Sequence, residues 1–208
     1  MQADRAPPVD DYRQLAADYD RRTRLIDAQR LRAVATLALR PGDVVLDAGC
    51  GSGFSFAPAL AAIGARGRLL AFDASPELLG IARSRVARAG WPNVEIREGA
   101  AESVRFDARA DALLFSYVHD ILQSEAALDN LLAQARSGAR VAACGSVLWP
   151  WWGWPVNAWL RARHRGYIAN PENFDRPWAR LARRLADFRV ETRWPPGWRY
   201  VASGRVPG

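Results

Sequence analysis

The strongest chemical signal in the sequence is a glycine-rich segment that follows a short apolar run. Gly49, Gly51 and Gly53 alternate just after residues 44–46, and glycine lets a backbone adopt positive φ and approach a ligand closely. The dinucleotide-binding pattern Gly-x-Gly-x-x-Gly has a different spacing. Asp47 precedes the loop, and its negative charge disfavours a phosphate and suits a cation such as an amino group. The segment therefore predicts a site for a ligand with an amino-acid end.

A second acidic residue indicates that the same ligand carries a sugar. Asp73 ends the next apolar run, residues 69–72, and lies 20 residues beyond Gly53. A carboxylate at the end of the second strand can accept hydrogen bonds from both hydroxyls of a ribose. The two acids thus favour a ligand with a cationic group near Asp47 and ribose hydroxyls near Asp73.

Residues 115–120, Phe-Ser-Tyr-Val-His-Asp, follow a fourth apolar run and contain one of only two histidines. If that run is a parallel strand, these residues border the ligand at its carboxyl end. His119 could act as a general base toward a hydroxyl nucleophile, because its pKa lies near neutrality. A structural or cofactor-bordering role for His119 is the alternative, and Tyr117 is a second candidate beside the reacting atom. Cys50 and Cys144 are expected to be packing residues.

The elements that must position these residues alternate between strands and helices. Such alternation predicts βαβ units in an open, mostly parallel α/β sheet. Strands are predicted at residues 44–46, 69–72, 94–96, 110–115, 141–144, 188–194 and 198–202. Helices are predicted within residues 10–39, up to residue 63, and over 75–89 and 121–135. Ser75 and Pro76 are a helix-opening pair, and Gly90 is a stop signal.

The chain divides by charge into a neutral and a basic part. All of its 29 basic residues are arginines, and the net charge of +7 comes from residues 149–208, which hold 11 arginines against 4 acids and eight of the nine tryptophans. Trp149, Trp151 and Trp152 are candidates for an apolar lid over a flat substrate. The same segment could lie on an anionic membrane surface, or it could pack into the core. No run is apolar and long enough to span a membrane, and no residue cluster suggests a metal.

Residues 40–148 resemble the class I S-adenosylmethionine-dependent methyltransferases. The glycine motif of that family matches Asp47, Gly49, Gly51 and Gly53, and its ribose-binding acid matches Asp73. The resemblance implies S-adenosyl-L-methionine as cofactor, S-adenosyl-L-homocysteine as product, and these cofactor-binding residues: Asp47, Gly49, Gly51, Ser52, Gly53, Asp73, Ala74, Ala100, Ala101, Ser116 and Tyr19.

One stretch departs from the pattern of that family. The family often has Gly-Asp-Ala after the third strand, with the aspartate on the adenine amino group, whereas this chain has Gly99-Ala100-Ala101-Glu102. The adenine would then rely on the backbone N–H of Ala100 or Ala101.

The resemblance also implies a Rossmann-like, seven-stranded sheet flanked by helices, with an antiparallel last strand and an N-terminal helical cap. The implied organisation is a cap over residues 1–40, a cofactor-binding core over 41–148, and a substrate-covering segment with the closing strands over 149–208. Tyr12 is a candidate substrate contact in the cap. Residues 118–122 look like the His-Asp segment of small-molecule O-methyltransferases, in which the histidine is the base.

The implied function is methyl transfer to O or N of a small aromatic or amphipathic metabolite. The alternatives are N-methylation of a lipid headgroup at the membrane, RNA methylation, and a non-methylating role that keeps the cofactor. RNA is disfavoured because the Asp/Asn-Pro-Pro-aromatic element of nucleic-acid amino-methyltransferases has no match after the fourth strand. The protein is expected in the cytoplasm, in reach of the inner membrane face, with its oligomeric state open.

Overall fold

The computed structural model describes residues 26–147, 173–192 and 199–208, which form one mixed sheet with helices on both faces. The strands are β1 (Val44–Ala48), β2 (Arg68–Asp73), β3 (Val94–Glu98), β4 (Ala110–Ser116), β5 (Ala135–Ser146), β6 (Ala186–Thr192) and β7 (Arg199–Arg205). The helices are α1 (Asp27–Thr36), α2 (Phe56–Ile63), α3 (Pro76–Ala89), α4 (His119–Gln123), α5 (Glu125–Leu132) and α6 (Ala179–Ala182).

The strand order is β3-β2-β1-β4-β5-β7-β6. Strands β1 to β5 run parallel, whereas β7 lies antiparallel to both β5 and β6. The predicted seven-stranded sheet with an antiparallel last strand is therefore confirmed. The chain reverses its strand order between β1 and β4, and open α/β sheets bind ligands in the crevice at that point. The crevice is bordered by the ends of β1 and β4, where Ala48 pairs with Phe115.

Two apolar clusters hold the helices against the sheet. One contains the inward faces of α1, α2 and α3, and the other those of α4, α5 and α6. Strands β1, β2 and β4 are buried along most of their length, which explains why they are continuous apolar runs in the sequence. Within the described residues, no helix is long and apolar enough to cross a bilayer.

The local signals of α3 act as predicted, but the region after β4 differs from the prediction. The Ser75 hydroxyl accepts a hydrogen bond from the Leu78 N–H, Pro76 begins α3, and Gly90 ends it in the left-handed conformation.

The single helix predicted over residues 121–135 is wrong, because the chain breaks at Ser124, which caps α5 instead. Strand β5 begins at Ala135, six residues before the predicted start. Residues 136–138 of this strand are exposed, and Gly138 there has φ +74°, so its first half has no continuous apolar run in the sequence.

Candidate functional site

The glycine loop lies directly after β1 and is tightly packed beneath the exit of β4. Gly49, Gly51 and Gly53 all have positive φ, at +65°, +54° and +76°. A Cβ on Gly49 would lie 2.5 Å from a methyl carbon of Val118, and a Cβ on Gly53 would lie 2.7 Å from the Phe56 ring. The first and last glycines are therefore required by contact as well as by conformation.

The side chain of Asp47 is a buried carboxylate beside the glycine loop. Its carboxylate is 1% exposed, and burial raises its pKa from 3.8 to about 6, against the hydrogen bond that one oxygen, Oδ2, accepts from the Ser55 hydroxyl. The other oxygen, Oδ1, has no hydrogen-bond partner. The hydroxyl of Ser52, 2% exposed, is likewise buried without a partner in the same loop. Buried polar atoms are nearly always satisfied, so these two atoms stand out as groups that a polar ligand could satisfy.

Asp73 lies at the end of β2, across the loop from Asp47. Its Oδ2 accepts a hydrogen bond from the Gly51 N–H at 2.8 Å and its Oδ1 one from the Ser75 N–H at 2.9 Å. Each carboxylate oxygen can accept a second hydrogen bond. Asp73 therefore fixes the glycine loop and can still receive two hydroxyl groups. The neighbouring Ala74 is exposed.

Helix α1 supplies two functional candidates that carry no sequence signal. Gln29 is 7% exposed, and its amide nitrogen donates to the carbonyl of Gly145, at 3.0 Å, and to that of Tyr200. Its amide oxygen accepts from the Tyr117 hydroxyl at 2.7 Å. Arg30, 8% exposed, holds its guanidinium over the rings of Phe54 and Tyr117, at 5.1 and 5.5 Å from their centroids. The positions of Gln29 and Arg30 depend on the long-range packing of α1 on β4, β5 and β7, so the local sequence does not indicate them.

Tyr117 occupies the left-handed region at φ +60° immediately after β4. This conformation is unfavourable for a bulky residue and concentrates at functional sites. Its backbone N–H donates to the Cys144 carbonyl at 2.8 Å. Burial raises the pKa of its hydroxyl well above the usual value, so Tyr117 is a fixed hydrogen-bond donor and not a base.

His119 begins α4 and packs against a second segment, residues 173–178. Its ring centroid lies 4.7 Å from that of Phe174. Gln123 holds this segment at two points, because its amide oxygen accepts from the Asn173 side chain at 2.9 Å and its amide nitrogen donates to the Pro177 carbonyl at 3.0 Å. The segment carries no motif, so sequence analysis missed Phe174 and Gln123.

The remaining predicted site residues follow the ends of β3 and β4. Ala101 is buried and Ala100 exposed. The Asn130 side chain donates to the Ala101 carbonyl at 2.7 Å, which fixes the loop after β3. The Ser116 hydroxyl accepts from the Cys144 thiol at 3.5 Å. Five predicted site residues lie outside the described residues: Tyr12, Tyr19, Trp149, Trp151 and Trp152.

The arrangement provides two carboxylates, a buried guanidinium and a glycine cradle at the switch point of a parallel sheet. Open α/β sheets bind their ligands in the crevice at this point. Residues 45–139 match the family model described as a methyltransferase domain. The matched residues include the glycine loop, Asp73 and the exit of β4, and the fold is similar to that of a solved S-adenosylmethionine-dependent methyltransferase.

Three similar proteins carry methyltransferase names. An arsenite methyltransferase from Halobacterium salinarum is 31% identical over 110 residues, which are 52% of this chain and 28% of that protein. A SAM-dependent methyltransferase from Aquifex aeolicus aligns with a TM-score of 0.66 at 18% identity, over 97% of this chain and all of that one. The N-methyltransferase NodS from Bradyrhizobium japonicum WM9, in complex with S-adenosyl-L-homocysteine, aligns with a TM-score of 0.61 at 19% identity, over 89% and 87% of the two chains. The chain thus spans only about a quarter of the curated relative.

Proposed function

We propose that the protein transfers the methyl group of S-adenosyl-L-methionine to a nitrogen atom of a small amine acceptor. The observation that carries the cofactor assignment is the buried Oδ1 of Asp47, which has no hydrogen-bond partner and sits beside the glycine loop. An ammonium group there would receive a charge-assisted hydrogen bond and offset the cost of burying the carboxylate.

The residues present fit the cofactor. Asp47 would hold the amino group of its methionine part, and Asp73 would accept hydrogen bonds from the ribose hydroxyls. Gly49, Gly51 and Gly53 would let the backbone pass close beneath it, and the free hydroxyl of Ser52 is a further donor. Four further residues at or just after the ends of β2, β3 and β4 are proposed cofactor contacts: Ala74, Ala100, Ala101 and Ser116. Tyr19 remains a proposed contact from the N-terminal part.

The acceptor side is proposed at Tyr117, His119 and Phe174. When bound, the cofactor supplies a methyl group activated by a sulfonium leaving group. The residues of the chain hold the acceptor in line and keep water out. The Tyr117 hydroxyl is committed to Gln29, and the His119 ring packs on Phe174. This geometry supports a nitrogen acceptor that arrives neutral, because such a nucleophile needs positioning and no base.

Arsenite, the acceptor in the name of the halobacterial relative, has less support here. Thiol-seeking acceptors are bound by accessible thiolates. The chain has two cysteines, and burial raises the pKa of Cys50 well above its usual value and that of Cys144 to about 11. We therefore rank an amine above arsenite.

The decisive experiment supplies methyl-labelled S-adenosylmethionine to the purified protein together with a cell extract. Label in a soluble amine would support the proposal, and a phenol or other hydroxyl product would replace nitrogen by oxygen and make His119 the base. Label in a lipid headgroup, with salt-sensitive binding to anionic vesicles, would make the protein a peripheral membrane enzyme. Labelled RNA, or binding of the cofactor without any labelled product, would refute the proposal.

A further inference from the structure

A polar depression lies at the opposite end of the sheet from the glycine loop. It has a volume of about 200 Å³, and six of the side chains that line it are charged: Arg40, Asp43, Asp111, Arg136, Arg140 and Arg205. Asp43 precedes β1, whereas the glycine loop follows β1, so a strand of 5 residues, about 16 Å long, separates the depression from the crevice. The depression is therefore distinct from the site proposed for methyl transfer.

The two acids of the depression are committed to two of its arginines. Asp43 accepts a hydrogen bond from the guanidinium of Arg140 at 2.5 Å, and Asp111 pairs with Arg136 at 3.1 Å. The other oxygen of Asp111 accepts a hydrogen bond from the Val44 N–H at 2.9 Å. Both carboxylates therefore neutralise a neighbouring guanidinium, and Asp111 also fixes the start of β1.

The other two arginines leave a double positive charge without compensation. Within the part of the chain that the structure describes, the Arg40 guanidinium has no carboxylate partner, and that of Arg205 has only a long hydrogen bond, 3.4 Å, to the Gly138 carbonyl. Arg205 also lies directly opposite Arg140 on the neighbouring antiparallel strand, and like charges in such a pair destabilise a sheet. Four arginines against two aspartates give the depression a net charge of +2.

We propose that the depression binds a small dianion, a phosphate ion or a phosphomonoester. A phosphomonoester carries a charge of about −1.5 to −2 near neutral pH and three strong acceptor oxygens, which complements the net charge of +2. Arginine presents its N–H donors in a planar fork that matches phosphate oxygens. The hydroxyl of Ser137 lines the same depression and provides a further donor. A bound dianion would also offset the repulsion between Arg140 and Arg205.

The size of the depression favours a compact anion. Its volume of about 200 Å³ lies below the roughly 300 Å³ at which pockets for drug-sized ligands begin. A single phosphate group therefore suits it better than a large organic molecule does.

The test is a titration followed by phosphorus nuclear magnetic resonance at constant ionic strength, with inorganic phosphate, glycerol 3-phosphate and dimethyl phosphate as probes. The wild-type protein should bind the first two with a Kd on the order of 1 mM. Dimethyl phosphate carries one charge and should bind about tenfold more weakly. Arg40→Gln and Arg205→Gln should each raise the Kd for phosphate by about tenfold to a hundredfold, the usual effect of removing a hydrogen bond to a charged group.

The preference between the two dianions identifies the source of the phosphate group. Tighter binding of glycerol 3-phosphate would identify a phosphorylated metabolite, and tighter binding of inorganic phosphate would identify the free ion. Both results support the site. Equal affinity of the wild type for dimethyl phosphate and inorganic phosphate would overturn the proposal, because the site would then not select a double charge.

The matched control is Arg88→Gln, which removes an exposed positive charge from the end of α3, beside the β3 edge of the sheet. This variant should keep the wild-type Kd for phosphate, and a loss equal to that of Arg40→Gln would refute a local site. Unchanged phosphate binding in both Arg40→Gln and Arg205→Gln would also overturn the proposal. Both arginines are exposed, and if one variant fails to fold, the other decides.

Binding of S-adenosylmethionine separates this proposal from the proposed function. Each variant should bind it as the wild type does, because its proposed crevice lies at the other end of β1. Failure of the wild type to bind S-adenosylmethionine would refute the proposed function and leave the phosphate site standing.

Discussion

Replacing Asp47 with asparagine should flatten the pH dependence of the stability of the ligand-free protein. The folded pKa of Asp47, about 6, lies above the ordinary value of 3.8. The folded protein therefore binds a proton that the unfolded chain does not bind between these two values. The ionised carboxylate destabilises the fold fully above about pH 6, and this penalty disappears as the pH falls below about 4.

The size of the effect follows from the shift. Each pKa unit corresponds to about 1.4 kcal/mol, so a rise from 3.8 to about 6 costs about 3 kcal/mol near neutral pH. Because Asp47 is almost fully buried, solvent screens little of this cost. Between about pH 7.5 and about pH 5 the protein should regain about 1.4 kcal/mol from this group.

The assay is urea denaturation at several pH values, with the free energy of unfolding of Asp47→Asn subtracted from that of the wild type. The difference should change by about 1.4 kcal/mol over this range. Ser55→Ala removes the hydrogen bond that lowers the pKa of Asp47 and should steepen the pH dependence. Parallel curves for wild type and Asp47→Asn would refute the reasoning, as would a flatter curve for Ser55→Ala. Saturating S-adenosylmethionine should flatten the wild-type curve, because a bound ammonium lowers the pKa of Asp47.

Three further changes test the site. Gly49→Ala should destabilise the fold by about 1–3 kcal/mol and weaken cofactor binding, because its Cβ would meet Val118 at 2.5 Å; adding Val118→Ala should recover part of both losses in melting and calorimetry experiments. His119→Ala should keep kcat within about tenfold in a label-transfer assay, whereas a loss of about a hundredfold or more, with a wild-type kcat that falls below about pH 6.5, would identify His119 as a base. Gln123→Leu breaks both contacts to residues 173–178, so it should reduce turnover of the acceptor and leave the Kd for S-adenosylmethionine unchanged; an equal loss of both would place the segment at the cofactor instead.

The sheet and the cofactor cradle could be predicted because their signals are local. Buried parallel strands are continuous apolar runs in the sequence. Positive φ favours glycine, so the residue type alone indicates the loop conformation at Gly49, Gly51 and Gly53. Asp47 and Asp73 each follow from their position at the end of such a run. These features depend on residues that are close together in the chain.

The rest of the site could not be predicted because it depends on contacts between distant segments. Arg30 and Gln29 belong to an ordinary amphipathic helix, and nothing near them in the sequence indicates that they face the ends of β4, β5 and β7. Phe174 meets His119 from a segment 55 residues further along the chain. The early start of β5 could not be predicted for another reason, because residues 136–138 are exposed and interrupt its apolar pattern.

The three hydrogen bonds of Gln29 have a consequence for how the protein is made. One of them joins α1 to the carbonyl of Tyr200, 171 residues later in the chain and within the last strand. During synthesis on the ribosome, α1 therefore emerges long before β7 can complete its anchorage. A nascent chain can form β1, the glycine loop and β2 early, but the hydrogen bond from Gln29 to the Tyr200 carbonyl can form only after β7 has left the exit tunnel. The attachment of α1 to the sheet is thereby completed late in synthesis.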